Sequence, residues 1–425
     1  MAAQTLAQKL IARASHRQEV AVNEIVTCAV DLAMFHDSSG PRRLKPMLEK
    51  LGAQIWDKSK VVLVMDHYVP EEDDDSRRIL KIARDWASEQ QLPNVYDSIG
   101  ICHVVLPQKG HLRPGMFCVG GDSHSPTGGA FGAYMFGIGS TEMLGVVVTG
   151  EIWVRTPPTI AMDWSGLLAA GVTAKDMMLH MIGLYGTNGA NYAAVEYTGS
   201  AVSALSMQER MTLSNMSAEL GAQVGLIAPD QTTLDYLASV GVNADVDLDY
   251  WRSDDAAQRE VRSFDASTLS PMVAAPHSPD NVHPVDHMRD IPVQVAYIGA
   301  CTGAKLTDLR MAAEVLKGRR IAKGTRLLIA PASVAMTAQA AAEGTLSALT
   351  EAGAILLPSG CGACAGMGAG MLSSGEVCLS TTARNFKGRM GSADAQVYLG
   401  SPYSVAAAAV KGEICDPREL LGESA

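Results

Sequence analysis

Apolar residues run in short unbroken stretches along this chain, and several of those stretches stop directly at a carboxylate, an imidazole or a thiol. In VVLVMDHYVPEED, residues 61–65 precede Asp66 and His67. In MFCVGGDSHSPTGG, residues 116–119 precede Asp122, Ser123 and His124, and in VQVAYIGACTG, residues 293–298 precede Cys301. Continuous apolar runs of this length read as strands of parallel sheets, and reactive residues gather beyond the C-terminal ends of such strands. Helical periods fall between them. DDDSRRILKIARDWASEQ carries acids at its start, where a helix dipole favours them, and sets Ile79, Ile82 and Trp86 on one face. Ser206 and Glu209 read as a capping box, followed by Leu213, Met216, Leu220 and Val224 at spacings of three and four. The pattern predicts an α/β protein built on mostly parallel sheets.

The segment 270–286, SPMVAAPHSPDNVHPVD, is rich in proline, lacks either period and reads as a linker. A softer boundary falls near Thr156-Pro157-Pro158. The expected organisation is a first domain over 1–157, a second over 158–269, the linker 270–286 and a third over 287–425. No internal repeat is visible. At 425 residues, 47% hydrophobic and 19% charged, the composition is that of a folded multidomain chain. The net charge of −11 speaks against a nucleic-acid partner, whose phosphates such a surface repels. Near the N-terminus, Leu6, Leu10 and Ile11 at helical spacing fit a surface helix or mimic an organelle transit peptide. Residues 352–375 carry no charge over nearly the length of a membrane span. Seven glycines and Pro358 within them break any lipid-facing helix. No membrane partner is expected, and the localisation expected is cytoplasmic.

Inside that neutral run, PSGCGACAGMGAG places Cys361 and Cys364 in a C-x-x-C pair. Such pairs serve zinc, a redox disulfide or an iron–sulfur cluster. Structural zinc usually takes two close pairs, whereas the other thiols, Cys301 among them, are isolated. A thioredoxin-type pair opens a helix, whereas glycines surround this one. Three thiolates are too few to saturate four irons, which is informative where one iron stays open as a Lewis acid. Spacing alone leaves metal or cluster ligation, a redox pair and inert buried thiols all open. A cluster would explain the neutral bed, because its thiolates make it anionic and glycines let backbone N–H groups approach sulfur. Asp66-His67 and Asp122-Ser123-His124 each set a carboxylate beside an imidazole, an arrangement that raises the imidazole pKa and makes a general acid. His103 follows an apolar run and fits a core histidine or a site. Glu196 is an acid between apolar residues. ARNFKGR supplies Arg384, Lys387 and Arg389, whose guanidinium forks suit carboxylates.

Taken together, EIVTCAVDLAMFHDSSGP, VMDHYVP, GGDSHSPTGGAFGAYMFGIGSTE, GACTG, GCGAC and RNFKGR resemble the signatures of the aconitase superfamily. The resemblance is closest to its 3-isopropylmalate dehydratase large-subunit (homoaconitase-like) branch and covers nearly the whole chain. It implies a three-lobed aconitase-like core, lacking the swivel domain, around a [4Fe–4S] cluster held by Cys301, Cys361 and Cys364 with one iron open to the substrate. It implies further that Asp66, His67, His103, Asp122, His124 and Glu196 surround the reacting group. His67 would protonate the leaving hydroxyl, while Glu196 and His124 would orient water. Ser123, Arg384 and Arg389 would bind substrate, the arginines through a carboxylate. In the family a serine base and a further arginine sit on the swivel domain, so a separate small subunit is implied.

Two departures stand out. Ala300-Cys301-Thr302-Gly303 replaces the family's S-C-T-N, and Ala383-Arg384-Asn385-Phe386 replaces N-R-N-F. The expected function is the large subunit of a hydro-lyase that dehydrates, and rehydrates, a 2-hydroxy di- or tricarboxylate in the manner of 3-isopropylmalate dehydratase. Homoaconitate, citramalate and 2,3-dimethylmalate dehydratases are the alternatives. Outside the class, a zinc or thiol-redox protein explains the C-x-x-C pair but neither Asp-His turn, and a cluster-switched RNA-binding regulator would need a basic face.

Overall fold

The computed structural model describes residues 2–422, and its apolar runs become strands where the sequence places them. Val61–Met65, Phe117–Gly120 and Val295–Ile298 are strands in which every residue is buried. The first lobe is a five-stranded parallel sheet in the order Asn94–Asp97, Val61–Met65, Leu32–His36, Phe117–Gly120, Tyr134–Gly137. The second is a four-stranded parallel sheet in the order Val224–Leu226, Ala194–Thr198, Thr159–Ser165, Glu260–Asp265. The third has seven strands, with Val377–Ser380, Val295–Ile298 and Arg326–Ile329 running parallel at its centre. A two-stranded antiparallel ribbon pairs Ile25–Ala29 with Glu151–Arg155.

The helix Asp74–Gln90 is capped by Asp73, whose side chain accepts from the Ser76 N–H, and it buries Ile79, Leu80, Ala83 and Trp86. Three expectations are corrected. The proline-rich segment 270–286 is a hairpin and no linker: Met272–Ala274 pairs antiparallel with Val282–Pro284 and joins the third sheet through Ala274 and Leu399. Its prolines fall at strand ends and in the turn, where no ladder N–H is needed, while Met272, Val273 and Ala274 are buried. The helix capped by Ser206 ends at Met216, and Val224 opens a strand.

The N-terminal helix Leu6–Ala14 is also no surface helix. Leu6, Leu10 and Ile11 are fully buried, each contributing about 1.5–3 kcal/mol. Its polar side is covered too. Lys9 Nζ donates to the carbonyls of Tyr250 (3.0 Å) and Arg252 (2.7 Å) and pairs with Asp254 at 2.6 Å. No helix among the described residues is long and apolar enough to cross a membrane.

The loops beyond the C-terminal ends of the first and third sheets meet at a single cavity lined by His67, His103, Asp122, Cys301, Cys361 and Arg389, among others.

Candidate active site

Asp66 and His67 form the first acid–imidazole turn of the cavity. The His67 Nδ1–H donates to Asp66 Oδ1 at 2.8 Å, and the other carboxylate oxygen accepts the Cys102 N–H at 2.7 Å. Asp37, wholly buried, fixes this turn by accepting the N–H groups of His67 (3.1 Å) and Tyr68 (2.8 Å). The Asp66 carbonyl accepts the Cys361 N–H at 2.8 Å, which ties the acid–imidazole turn to the C-x-x-C loop. Burial alone would lower the His67 pKa. The charges of Asp66, Asp37 and Asp122 and the bond to Asp66 outweigh it, and His67 rises to about 9.

Asp122 is the second hub. Its Oδ1 accepts the His103 Nε2–H at 2.7 Å and the His124 backbone N–H at 2.8 Å, and its Oδ2 faces His67 Nε2 at 4.0 Å. Burial opposes its charge, but the bond and charge of His103, with the neighbouring His124 and His36, hold its carboxyl well below the usual range. Ser123 is exposed beside it and lines both this cavity and a wider cleft with Asn191, Tyr192, Gln223 and Arg384.

His124 does not meet Glu196. The residue bonded to its Nε2 is Glu219, at 3.0 Å, and the same Glu219 oxygen accepts from Arg384 Nε at 2.7 Å. Against burial, Glu219 and then Asp122 raise His124 to about 9. Glu196 lies apart from these residues. It accepts the Ser253 hydroxyl at 2.6 Å and faces Arg259 at 3.8 Å, while the same hydroxyl oxygen accepts the Leu6 N–H. Glu196 is therefore corrected from the site to an anchor beneath the N-terminal helix. The signal used for it, an acid between apolar residues, describes Glu219 in SAELGAQ equally well.

His36 is a second residue that sequence reasoning missed. It stacks on His67 with ring centres 3.8 Å apart, and its Nε2, buried and unbonded, lies 3.6 Å from Asp122 Oδ2. It ends the buried strand Leu32–His36, with Asp37 directly after it, so the strand-end pattern that marks Asp66-His67 also covers His36-Asp37. The Arg384 guanidinium is engaged by Glu219. The Arg389 Nε is buried with no hydrogen-bond partner.

The thiols fit an anionic cluster. Cys301, Cys361 and Cys364 line one cavity, and the Asn215 Nδ2–H donates to Cys301 Sγ at 3.2 Å. The Tyr297 hydroxyl is also buried without a partner, about 4.0 Å from where a Gly362 Cβ would stand. Unpaired buried donors cost stability, so donors left open around three sulfurs suit a group that accepts them. Among the described residues, the His/Cys/Asp/Glu sets with ligand atoms within 4.8 Å of one another are His36–Asp37–Asp66–His67 and His103–Asp122–His124. The three cysteines are in neither set. The Cys361 S–H lowers Cys364 to about 6, against burial and with help from Arg389. Gly303, at one of the two departures, has no room for a side chain: a Cβ there would stand 2.1 Å from Thr381 Cβ.

A pH dependence follows from the two raised imidazoles. Their folded pKa of about 9 exceeds the unfolded 6.5, so their stabilisation is complete below the unfolded value and is lost as pH rises through the folded one. Replacing His67 by glutamine should reduce the fall in melting temperature between roughly pH 6 and pH 10. An unchanged fall in thermal melts of the variant would contradict the raised pKa.

The family model of aconitase (aconitate hydratase) matches residues 8–412, and the chain belongs to the aconitase family of hydro-lyases. Its relatives narrow the class. It is 42% identical over 419 residues to the 3-isopropylmalate dehydratase large subunit 1 of Methanopyrus kandleri, covering 98% of this chain and 99% of that one. It is 39% identical over 428 residues to the probable methanogen homoaconitase large subunit of Methanothermobacter thermautotrophicus, covering 99% of each. Among solved structures, the holo-form of aconitase X from Thermococcus kodakaraensis shares the fold at a TM-score of 0.51 and 13% identity, over 84% of each chain. Members of the family carry a [4Fe–4S] cluster.

Proposed function

We propose that this chain is the large subunit of a hydro-lyase of the 3-isopropylmalate dehydratase type, acting on a 2-hydroxy di- or tricarboxylate. The observation that carries the reading is the convergence of three thiols, three carboxylate-bound imidazoles and an unpaired arginine donor on one cavity. Cys301, Cys361 and Cys364 would hold a [4Fe–4S] cluster with one open iron. When bound, that cluster supplies a Lewis acid for the substrate's hydroxyl and carboxylate oxygens.

The remaining work falls to side chains. His67, kept protonated at neutral pH by Asp66, Asp37 and Asp122, delivers its Nε2 proton to the departing hydroxyl, which leaves as water. Asp66 holds the ring's orientation through Nδ1 and stabilises the charge until the proton moves. Asp122 with His103, and Glu219 with His124, order water and substrate in the same cavity. Ser123 and Arg389 bind substrate, Arg389 through a carboxylate. Arg384 keeps Glu219 ionised and is secondary in binding.

Dehydration also requires a base for the proton next to the carboxylate. The relatives' names as large subunits support a separate small subunit of swivel-domain type as its source. Eight free cysteines, none half exposed, suit a reducing compartment such as the cytoplasm.

Lysine at position 389 keeps the charge but loses the fork. Loss of one charge-assisted bond of about 1.5–3 kcal/mol should lower kcat/KM roughly ten- to a hundredfold with the iron–sulfur spectrum unchanged. The reading as a whole is tested by assaying the large subunit with and without a co-expressed small subunit. The panel is 3-isopropylmalate, homocitrate, citramalate and 2,3-dimethylmalate, with appearance of the unsaturated acid as readout. Turnover of one of them by the pair only is expected; turnover of none, with the cluster loaded, would overturn it.

A further inference from the structure

Two lysines behind the cysteine loop are buried more deeply than lysines normally are. Lys175 is 1% exposed and stands in the first turn of the helix Ala174–Tyr185. Its ammonium donates to the carbonyls of Thr381 (2.5 Å) and Thr382 (2.7 Å), and among the described residues it has no carboxylate partner. The adjacent Asp176 is committed elsewhere, accepting the Met272 N–H at 2.8 Å and the Thr173 N–H and hydroxyl, each at 2.8 Å. Lys305 is fully buried at the N-cap of the helix Leu306–Leu316. It donates to the Cys301 carbonyl at 3.1 Å and pairs with Asp308 at 2.7 Å.

Both cations therefore stand at helix N-termini, where the helix dipole favours negative charge, and among the described residues Asp308, on Lys305, is the one carboxylate ion-paired with either. Burial foremost, and then Lys305, push Lys175 down to about 8, while Asp308, the Cys364 sulfur and the more weakly felt Glu219 pull it up. Buried cations are ordinarily paired. The Thr381 carbonyl that Lys175 holds also accepts the Thr302 hydroxyl at 2.8 Å, and Gly303 packs against the same threonine. Lys175 thus abuts the turn that carries Cys301.

We propose that Lys175, seconded by Lys305, is the counter-charge for the anionic iron–sulfur group held by Cys301, Cys361 and Cys364, and that it governs how firmly the group is retained and how readily it accepts an electron. This rests on the cluster reading above. Lys175 is a positioning residue and touches no reacting atom.

The test uses the full chain, reconstituted anaerobically with iron and sulfide, as wild type, Lys175→Met and Lys175→Gln. Methionine removes charge and donors; glutamine removes the charge and keeps a donor. The melting temperature of the cluster-free forms reports the fold separately. Both variants should lose visible iron–sulfur absorption to a chelator at least threefold faster than wild type, and the reduction potential should shift negative. Wild-type retention and potential in both variants would overturn the proposal. So would a change confined to the methionine variant, which would assign the effect to the hydrogen bonds. A wild-type protein that takes up no iron and sulfide would instead remove the cluster reading itself.

Discussion

Replacement of His67 by glutamine should lower kcat/KM by about two to four orders of magnitude, the range that general acid catalysis contributes. A hydroxyl leaves poorly without a proton, and His67, like His124, is kept charged at neutral pH by its surroundings. Its Nδ1 is committed to Asp66, which leaves Nε2 to face the cavity and Asp122. Glutamine preserves a donor but cannot release a proton. The cysteine loop should remain intact, because its link to this turn runs through the Asp66 carbonyl and not through the imidazole. Steady-state kinetics of the reconstituted pair, with the iron–sulfur spectrum as a control, check this. Wild-type kinetics in the variant would remove His67 as the acid.

The second large effect separates two glutamates. Glu219 is buried between His124 and Arg384. Burial opposes its charge, but the two cations more than offset that and hold its pKa down. Glu219→Gln leaves an imidazolium and a guanidinium facing each other, and breaking a buried ion pair from one side costs about 3–5 kcal/mol. Activity should fall at least tenfold as well, because His124 loses the charge that keeps it protonated and oriented. Glu196→Gln should leave kcat/KM close to wild type, since Glu196 serves Ser253 and the N-terminal helix. Melting temperatures and kinetics of the two variants decide the matter, and the opposite ranking would return Glu196 to the site.

What the sequence made legible follows from how local each signal is. Strand runs ending at Asp66, Asp122 and Cys301 need only a few residues of context, and the sheets form where those runs lie. The C-x-x-C pair and the Asp-His turns are local as well, and the structure brings them to one cavity. Glu219 and Glu196 look alike in sequence because each is a lone acid in apolar surroundings; only the fold decides that one faces His124 and the other Ser253. The proline-rich segment 270–286 was illegible for a related reason. Its strands are three residues long, too short to show a period, and the residue that ties the first of them into the third sheet, Leu399, lies more than a hundred residues away. The N-terminal helix shows one apolar face, but nothing in it reveals that residues 250–254 come back to cover Lys9. Asn215, whose amide reaches Cys301 from a helix eighty-six residues upstream, carried no sequence signal.

The measurement that bears most directly on the site is iron and acid-labile sulfide analysis of the protein purified without oxygen, read together with its visible spectrum. Iron and sulfide in near-equal amounts, with broad charge-transfer absorption, are expected if Cys301, Cys361 and Cys364 hold a cluster. One zinc per chain without sulfide would contradict it.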